Sequence, residues 1–234
     1  MTRRIVAIIA AAGQGRRLAA AVAKQYLSLG EMPILARTLR VFDENPLVEG
    51  IVLAVGADQR EALEQRVLRS YPCRKLVEVV PGGAERQESV ARALEAVSPG
   101  CEVVVIHDGV RPLLSQQLLT TVIETARRSG AAMAAVPARD TVKEVEAGLV
   151  RATLDRSRIW LAQTPQAFSA DLIRRAHEAA GRERVRGTDD AALVERLGAS
   201  VEIVPGSEEN IKVTTAADLI YAEAVLAARA AGGA

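Results

Sequence analysis

Short apolar runs alternate with amphipathic segments along most of this chain, and that alternation limits the folds open to it. The runs are rich in Val, Ile and Ala and lie at residues 5–10, 50–56, 75–83, 102–112 and 131–138. The first run is apolar on both faces, as strands of a parallel sheet are. Segments with helical spacing follow the first four runs. The pattern predicts an α/β fold with a mostly parallel, doubly wound, Rossmann-like sheet and helices on both faces.

Residues that typically begin or end helices mark the boundaries between these segments. Pro33 is placed to start one helix, and Asp58 is placed to cap the next. Ser115 is placed to cap a later helix, which Gly130 ends. The last part of the chain continues the pattern with a helix, a strand and a closing helix at 188–198, 200–206 and 214–230.

The segment at residues 139–165 departs from this rhythm. Its apolar and polar residues alternate about the sequence EAG at 146–148, as in a β-hairpin. We predict one domain over residues 1–234 with a protruding hairpin arm inserted at 138–162. A lone hairpin is marginal in water, so we expect the arm to pack against another copy of the chain. A hairpin folded onto its own domain is the ordinary alternative.

Composition argues against several classes of function. Lys and Arg number 30 and Asp and Glu number 29, which gives a net charge of +1 and disfavours a broad nucleic-acid or membrane surface. Aromatic residues make up only 3% of the chain, too few for a single-strand stacking platform. Cys73 and Cys101 have no metal or redox spacing. We expect a cytoplasmic protein with reduced cysteines and with neither a nucleic-acid nor a membrane partner.

The loops at the strand ends form the candidate site, because ligands of such sheets bind beyond the carboxyl ends of the strands. Three polar loops are predicted to face one crevice, namely GQGRR at 13–17, GGAERQES at 82–89 and HDGVRP at 107–112. The first loop does not fit the Rossmann pattern, because Leu18 stands where a third small residue is needed. It also lacks the Gly-Lys-Ser/Thr of a P-loop.

Basic residues follow the glycines of the first loop. If the segment is helical, Arg17 and Lys24 lie about two turns apart and can converge on one polyphosphate. Positive charge near a helix N-terminus opposes the helix dipole, so a bound anion would explain it. A solvated basic face is the alternative.

Four further residues carry weaker signals. Asp108 can accept hydroxyls or help position a metal, and Arg111 can hold a phosphate or carboxylate, but the two also read as an Asp–Arg pair that closes a turn. Ser89 suits a base edge or ribose, although a plain turn with a helix cap explains it nearly as well. Lys212 precedes the last helix, where a lysine is usually solvated.

The two histidines, His107 and His177, lie in no metal pattern, and nothing pairs either with a nucleophile. A substrate phosphate has a second pKa of about 6 and is largely dianionic at neutral pH. If phosphate is the nucleophile, the reaction needs cations rather than a general base. A site rich in Arg and Lys therefore favours phosphate attacking phosphate.

Seven motifs occur in one order along residues 5–226: AAAGQGRRL…KQYLSL, GGAERQESV, HDGVRP, ARDTVK, DRSRIWLAQTPQAF, GTDDAALVE and ENIKVTT. This set resembles the 2-C-methyl-D-erythritol 4-phosphate cytidylyltransferases. The resemblance implies a nucleotidyltransferase fold whose arm interlocks two subunits of a homodimer. It also implies a reaction of CTP with methylerythritol 4-phosphate that releases pyrophosphate, in non-mevalonate isoprenoid synthesis. Mg²⁺ would be the cofactor, held mainly by the CTP phosphates.

The same resemblance implies roles for single residues. The catalytic cations are Arg17, Lys24 and Lys212. The nucleotide-binding residues are Ala11, Ala12, Gly13, Gly83 and Ser89. The residues on the acceptor side are Asp108, Arg111, Thr141, Arg156, Thr164 and Thr188. Arg156 would reach from the arm into the active site of the neighbouring subunit.

Other functions remain open to such a sequence. A cytidylyltransferase acting on ribitol 5-phosphate would share these loops, and a nucleotidyltransferase using GTP would leave the later motifs unexplained. A nicotinamide-dependent dehydrogenase would need the missing third glycine. A CTP sensor without activity would leave the three cations unexplained.

Overall fold

The structure, a computed structural model, describes residues 4–13 and 23–232. Its strands are β1 (Ile5–Ala11), β2 (Ser28–Leu29), β3 (Met32–Pro33), β4 (Gly50–Val55), β5 (Leu76–Pro81), β6 (Val103–Asp108), β7 (Ala131–Pro137), β8 (Lys143–Glu146), β9 (Leu149–Thr153), β10 (Trp160–Ser169) and β11 (Glu202–Pro205). Its helices are α1 (Ile34–Glu44), α2 (Arg60–Leu63), α3 (Arg86–Glu95), α4 (Gln116–Ser129), α5 (Ala170–Glu183), α6 (Asp190–Arg196) and α7 (Ala216–Gly232). Turns of 3₁₀ helix lie at Lys24–Tyr26 and Arg156–Arg158, and a π-helical turn lies at Glu64–Leu68.

Seven strands form one sheet in the order β11-β7-β10-β6-β1-β4-β5. Strand β1 is parallel to β4 and β6, β4 is parallel to β5, and β7 is parallel to β11. Strand β10 runs antiparallel to both of its neighbours, β6 and β7. The predicted mostly parallel sheet is confirmed, with one antiparallel strand inside it.

Helices cover both faces of the sheet because its central strands are apolar on both sides. Ile5, Ala7 and Ile9 of β1 pack in one cluster with residues of α1 and α4. Val6 and Ile8 point to the opposite face and pack with α3 and α5. The doubly wound architecture predicted from the apolar runs is therefore confirmed.

Three of the four predicted helix boundaries are confirmed. Pro33 directly precedes α1. The Ser115 side chain accepts a hydrogen bond from the amide of Leu118 at 3.2 Å and so caps α4. Gly130 ends that helix with a φ of 88°, in the left-handed region that glycine favours.

The predicted cap at Asp58 is wrong. Helix α2 begins one residue later, with Gln59 at the cap position and no side-chain capping bond. A turn closes between the amide of Gln59 and the carbonyl of Gly56 at 2.9 Å, and this turn contains Asp58. The backbone therefore enters the helix only after Asp58.

Helix α5 had no counterpart among the predicted elements, and β10 was predicted only in its first part, as residues 160–165 of the hairpin segment. The middle of β10 is buried but polar, with Gln163, Thr164 and Gln166 each no more than 7% exposed. The Thr164–Pro165 peptide bond is cis. A polar strand that contains a proline lacks the apolar pattern by which the other strands were predicted.

The predicted hairpin forms from β8 and β9, which pair antiparallel in a two-stranded sheet of their own. Ala147 and Gly148 turn the chain with φ values of 50° and 81°, as a two-residue type I′ turn requires. Residues 160–162 of the predicted arm belong to β10 and pair with β7 in the main sheet. No helix among the described residues is long and apolar enough to cross a membrane.

Candidate active site

The described parts of the three loops meet in one cleft beyond the carboxyl ends of β1, β5 and β6. This first cleft is lined by, among others, Ala11, Ala12, Gly13, Lys24, Gly83, Ser89, Asp108 and Lys212. The prediction that these loops face one crevice is confirmed for the residues that the structure describes. Arg17 lies outside the described residues.

A second cleft adjoins the first. Its lining includes Arg111, Thr164 and Thr188, which were predicted on the acceptor side. Arg86, Asp108 and Lys212 line both clefts. The two clefts therefore share a wall made of charged side chains.

The loop that carries Gly82 and Gly83 packs closely against Ala12, which follows the end of β1. A Cβ on Gly82 would lie 2.2 Å from the Cβ of Ala12, so the two loops can approach only with glycine here. The amide of Gly83 donates to Ser89 Oγ at 3.0 Å, and this hydroxyl donates to the carbonyl of Glu85 at 3.0 Å. Ser89 thus closes the loop, as the turn interpretation expects, while it also lines the first cleft.

Lys24 is held beside the end of β1 by its neighbour in the 3₁₀ turn. The buried amide of Gln25 donates to the carbonyl of Ala11 at 2.9 Å and to Gln59 Oε1 at 2.8 Å. Lys24 itself is partly buried and lines the first cleft. Lys24 therefore stands in the first cleft, next to the end of β1.

Asp108 is the centre of charge at the wall between the clefts. Arg86 Nε lies 2.9 Å from its Oδ1, and Lys212 Nζ lies 2.9 Å from its Oδ2. Arg111 Nε lies 3.6 Å from the same Oδ2. Burial raises the pKa of the Asp108 carboxyl, but Arg86 and Lys212 outweigh that effect and hold the pKa far below its usual range. Asp108 is therefore ionised at neutral pH.

Arg86 and Asp190 belong to this wall, although no sequence pattern pointed to them. Arg86 Nη1 donates to Asp190 Oδ2 at 2.7 Å, and His177 Nε2 donates to Asp190 Oδ1 at 3.0 Å. Burial opposes the charge on Asp190, yet Arg86 and His177 keep its pKa below the usual value. Arg86 and Asp190 are 104 residues apart, so their contact has no signature in sequence spacing.

The loop that carries Lys212 rests on buried amides of β10. Asn210, which is 0% exposed, donates to Gln163 Oε1 at 3.2 Å and to the carbonyl of Thr164 at 2.8 Å. Thr164 Oγ1 in turn accepts from the Asp108 amide at 3.1 Å. Arg111 Nη1 donates to the Asn210 carbonyl at 2.7 Å. These bonds explain how a polar strand is buried, and they connect residues that line both clefts.

Both histidines form hydrogen bonds within the fold, and neither lines the two clefts. His107 is fully buried, and its Nε2 donates to the carbonyl of Arg111 at 3.1 Å. Burial lowers the pKa of His107 to about 4, so the ring is neutral at pH 7. His177 lies behind Asp190 and lines neither of the two clefts. Neither histidine is placed to act as a general base there.

A model of the 2-C-methyl-D-erythritol 4-phosphate cytidylyltransferase family matches residues 5–228. The chain belongs to this family. It is 50% identical over 225 residues to the cytidylyltransferase of that name from Geobacter metallireducens, covering 95% of this chain and 97% of that protein. The protein of the same name from Syntrophus aciditrophicus is 49% identical over 227 residues, covering 97% of each.

Solved structures of the family share the fold. The 4-diphosphocytidyl-2C-methyl-D-erythritol synthase of Anaerococcus prevotii superposes with a TM-score of 0.84 at 31% identity and 96% coverage of each chain. The 2-C-methyl-D-erythritol 4-phosphate cytidylyltransferase of Thermus thermophilus gives 0.78 at 34% identity, covering 94% of this chain and 97% of that one. The nucleotidyltransferase architecture is thus shown in both sequence and structure.

Two residues with roles implied by this family lie away from both clefts. Thr141 is exposed just before β8. Arg156 is exposed in the 3₁₀ turn that follows β9, and its Nη1 donates to the carbonyl of Arg139 at 2.6 Å. Within one chain the arm does not bring either side chain to the charged wall.

Proposed function

We propose that this chain joins CTP and 2-C-methyl-D-erythritol 4-phosphate to give 4-diphosphocytidyl-2-C-methyl-D-erythritol and pyrophosphate, in non-mevalonate isoprenoid biosynthesis. The observation that carries this proposal is the pair of adjoining clefts that share Arg86, Asp108 and Lys212. One cleft has a glycine loop suited to a nucleotide, and the other has hydroxyl and guanidinium donors suited to a sugar-alcohol phosphate.

The first cleft would hold CTP. Backbone groups of Ala11, Ala12, Gly13 and Gly83, together with Ser89, would face its base and ribose. Lys24, Lys212 and Arg17 would neutralise its phosphates as charge-assisted donors. An oxygen of the acceptor phosphate attacks the α-phosphorus, a new P–O bond forms, and the bond to pyrophosphate breaks. The cations stabilise the charge that develops in this step, and no general base is needed.

The second cleft would hold methylerythritol phosphate. Asp108 is ionised and can accept hydroxyl hydrogen bonds, while Arg111, Thr164 and Thr188 line the same space. Thr141 and Arg156 would complete this cleft only if they came from the arm of another subunit. The acceptor side is thus the part of the site that we expect to depend on assembly.

The charge of the site fits a metal ion that arrives with its substrate. The described residues contain no group of three or more His, Cys, Asp or Glu side chains that could hold a metal. Asp108 is already contacted by three cationic side chains. We propose that Mg²⁺ is bound mainly by the CTP phosphates, where it would neutralise charge on the triphosphate.

We propose a homodimer through the arm. The hairpin exposes apolar side chains, with Val145 56%, Leu149 65% and Val150 60% exposed. An unsupported hairpin with such side chains is marginal in water, so a second copy would cover them. Sedimentation velocity tests this: Leu149→Asp should shift the dimer towards monomer. Ile220→Asp, at a position 69% exposed on α7, is the control and should sediment as wild type. A dimeric Leu149→Asp protein would place the contact elsewhere.

We further propose that the protein works in the cytoplasm. Cys73 and Cys101 are both free thiols. Burial raises the pKa of Cys73 to about 12 and also raises that of Cys101, so both stay protonated. Unpaired, unreactive thiols fit a reducing compartment.

Pyrophosphate release is the direct test of the activity. CTP and Mg²⁺ are incubated with methylerythritol 4-phosphate in one reaction and with ribitol 5-phosphate in another. We expect release with the first acceptor and little with the second. Pyrophosphate release only with ribitol 5-phosphate would change the acceptor and keep the mechanism. If the protein binds CTP but releases no pyrophosphate with either acceptor, it is a CTP sensor without this activity.

A further inference from the structure

Arg86 lies between two carboxylates from distant parts of the chain. It is the first residue of α3, and its side chain is 26% exposed. Nε donates to Asp108 Oδ1 at 2.9 Å, and Nη1 donates to Asp190 Oδ2 at 2.7 Å. The strand end of β6 and the first residue of α6 are thereby joined through one guanidinium group.

The placement of Arg86 has no explanation in the stability of its own helix. A cation at a helix N-terminus opposes the helix dipole. Burial also opposes the charge, but Asp190 and Asp108 more than compensate and raise the pKa of Arg86. The planar fork of arginine can contact two carboxylates at fixed angles, which a lysine cannot do. The geometry therefore requires an arginine between these two acids.

Arg86 and Lys212 hold different oxygens of the same carboxylate. Lys212 Nζ lies 2.9 Å from Asp108 Oδ2, whereas Arg86 occupies Oδ1. The Lys212 side chain is 41% exposed, so it can move, while Asp108 is 7% exposed and fixed in the wall. Without Arg86, the attraction of Asp108 would fall on Lys212 and Arg111 alone.

We propose that Arg86 is a positioning residue that makes Lys212 available to the substrate phosphates. Anchored by Asp190, it neutralises part of the charge of Asp108, so that Lys212 can transfer its contact from this carboxylate to CTP. Loss of Arg86 would leave Lys212 bound to Asp108 and weaken nucleotide binding. This inference rests on the proposed function in taking CTP as the ligand.

Calorimetric binding of CTP with Mg²⁺, without acceptor, tests this in four proteins: wild type, Arg86→Gln, Asp108→Asn and the double variant. We expect Arg86→Gln to weaken CTP binding by roughly tenfold or more. In the Asp108→Asn background the same change should cost less than about twofold, because the competing carboxylate is gone. Arg40→Gln, which removes an exposed arginine paired with Glu44, is the matched control and should bind CTP as wild type does.

Equal losses from Arg86→Gln in both backgrounds would overturn the inference, because Arg86 would then act on the ligand directly. Unchanged CTP affinity in Arg86→Gln would overturn it as well. Thermal unfolding identifies variants that fail to fold. If Arg86→Gln fails, Asp190→Asn serves instead: it removes the anchor and should weaken CTP binding a few-fold, whereas wild-type affinity would reject the inference.

Turnover is not needed for this test, so its failure differs from failure of the proposed function. If the four proteins show the expected coupling between Arg86 and Asp108 but the wild type releases no pyrophosphate, only the proposed reaction is contradicted. Binding without coupling would contradict only the role of Arg86. A wild-type protein that does not bind CTP would overturn both.

Discussion

The central sheet and the hairpin arm differ in how much of their apolar surface the chain itself covers. Ile8 and Phe168, in the sheet, are 0% exposed. Val145, Leu149 and Val150, in the arm, are between 56% and 65% exposed. The sheet is therefore stabilised by its own chain and can hold the first cleft alone. The arm buries little of its own apolar surface, which is why we propose that a second copy of the chain covers it.

The polar side chains show the same difference. In the sheet region, Asp108 forms ion pairs with Arg86 and Lys212, and the buried Asn210 bonds to Gln163 of β10. Arg156, on the arm, is exposed and bonds to the backbone of Arg139. Asp108 is held in place by buried partners before any substrate binds. The exposed Arg156 is free to change its contacts when a substrate binds.

The largest expected effect compares one side chain from each region. Phe168→Ala removes a fully buried ring and should lower the free energy of unfolding by about 3–5 kcal/mol. Leu149→Ala, in the arm, should change the stability of the single chain by less than about 0.5 kcal/mol. Urea unfolding at several protein concentrations separates folding from association. A concentration-independent loss for Leu149→Ala as large as that for Phe168→Ala would contradict the difference between sheet and arm.

Lys24→Ala tests whether the sheet region carries the chemistry. In the proposed mechanism Lys24 neutralises the CTP phosphates, so its removal should slow turnover by roughly 10²–10³-fold. Circular dichroism and thermal unfolding should match wild type, because Lys24 is not part of the apolar core. Pyrophosphate release under saturating substrates is the measurement. Near-normal turnover would remove Lys24 from the catalytic residues.

The sheet could be predicted from the sequence because its strands are apolar runs, and the first cleft because the loops follow those strands. Strand β10 could not, since Gln163, Thr164 and Gln166 look exposed in a linear pattern. Their burial depends on partners such as Ser207 and Asp189, which lie 44 and 23 residues further along the chain. Hydrogen bonds between distant residues leave no periodic signal.

The charged wall shows the same limit at the site. The roles of Asp108 and Lys212 were implied by the family resemblance, through the motifs HDGVRP and ENIKVTT that contain them. Arg86 and Asp190 also stand in two of the seven motifs, GGAERQESV and GTDDAALVE, but nothing in the sequence spacing indicates that the two side chains touch. The contact between this arginine and this aspartate can be recognised only once the three-dimensional fold places α3 next to α6.

A pH titration of stability examines the buried part of the molecule. Burial lowers the pKa of His107 from 6.5 to about 4, so the folded protein binds this proton less readily than the unfolded chain. The free energy of unfolding should therefore fall as the pH drops from 6.5 towards 4, by up to about 3 kcal/mol. His107→Gln keeps a donor for the Arg111 carbonyl and should flatten this dependence. An unchanged slope would assign the loss to other groups.

Arg156→Ala tests the arm with a smaller expected effect. The KM for methylerythritol phosphate should rise by about tenfold, since one charge-assisted hydrogen bond to its phosphate would be lost. The KM for CTP should change by less than about twofold. Arg151→Ala, which breaks an exposed pair with Glu146 on the same arm, is the control and should leave both constants unchanged. Equal effects on both substrates would count against a place on the acceptor side.

Mixed dimers decide whether Arg156 acts across subunits. In a heterodimer of Lys24→Ala and Arg156→Ala chains, one site would carry both defects if Arg156 comes from the neighbour. The other site would combine an intact Lys24 with the intact Arg156 of the first chain. An equal mixture, allowed to exchange subunits, should then recover roughly one quarter of the wild-type rate at limiting acceptor, well above the mean of the two variants. If Arg156 served its own chain, each site would keep one defect and no recovery would occur. Recovery would thus show that the arm supplies part of a site that the sheet of one chain cannot complete.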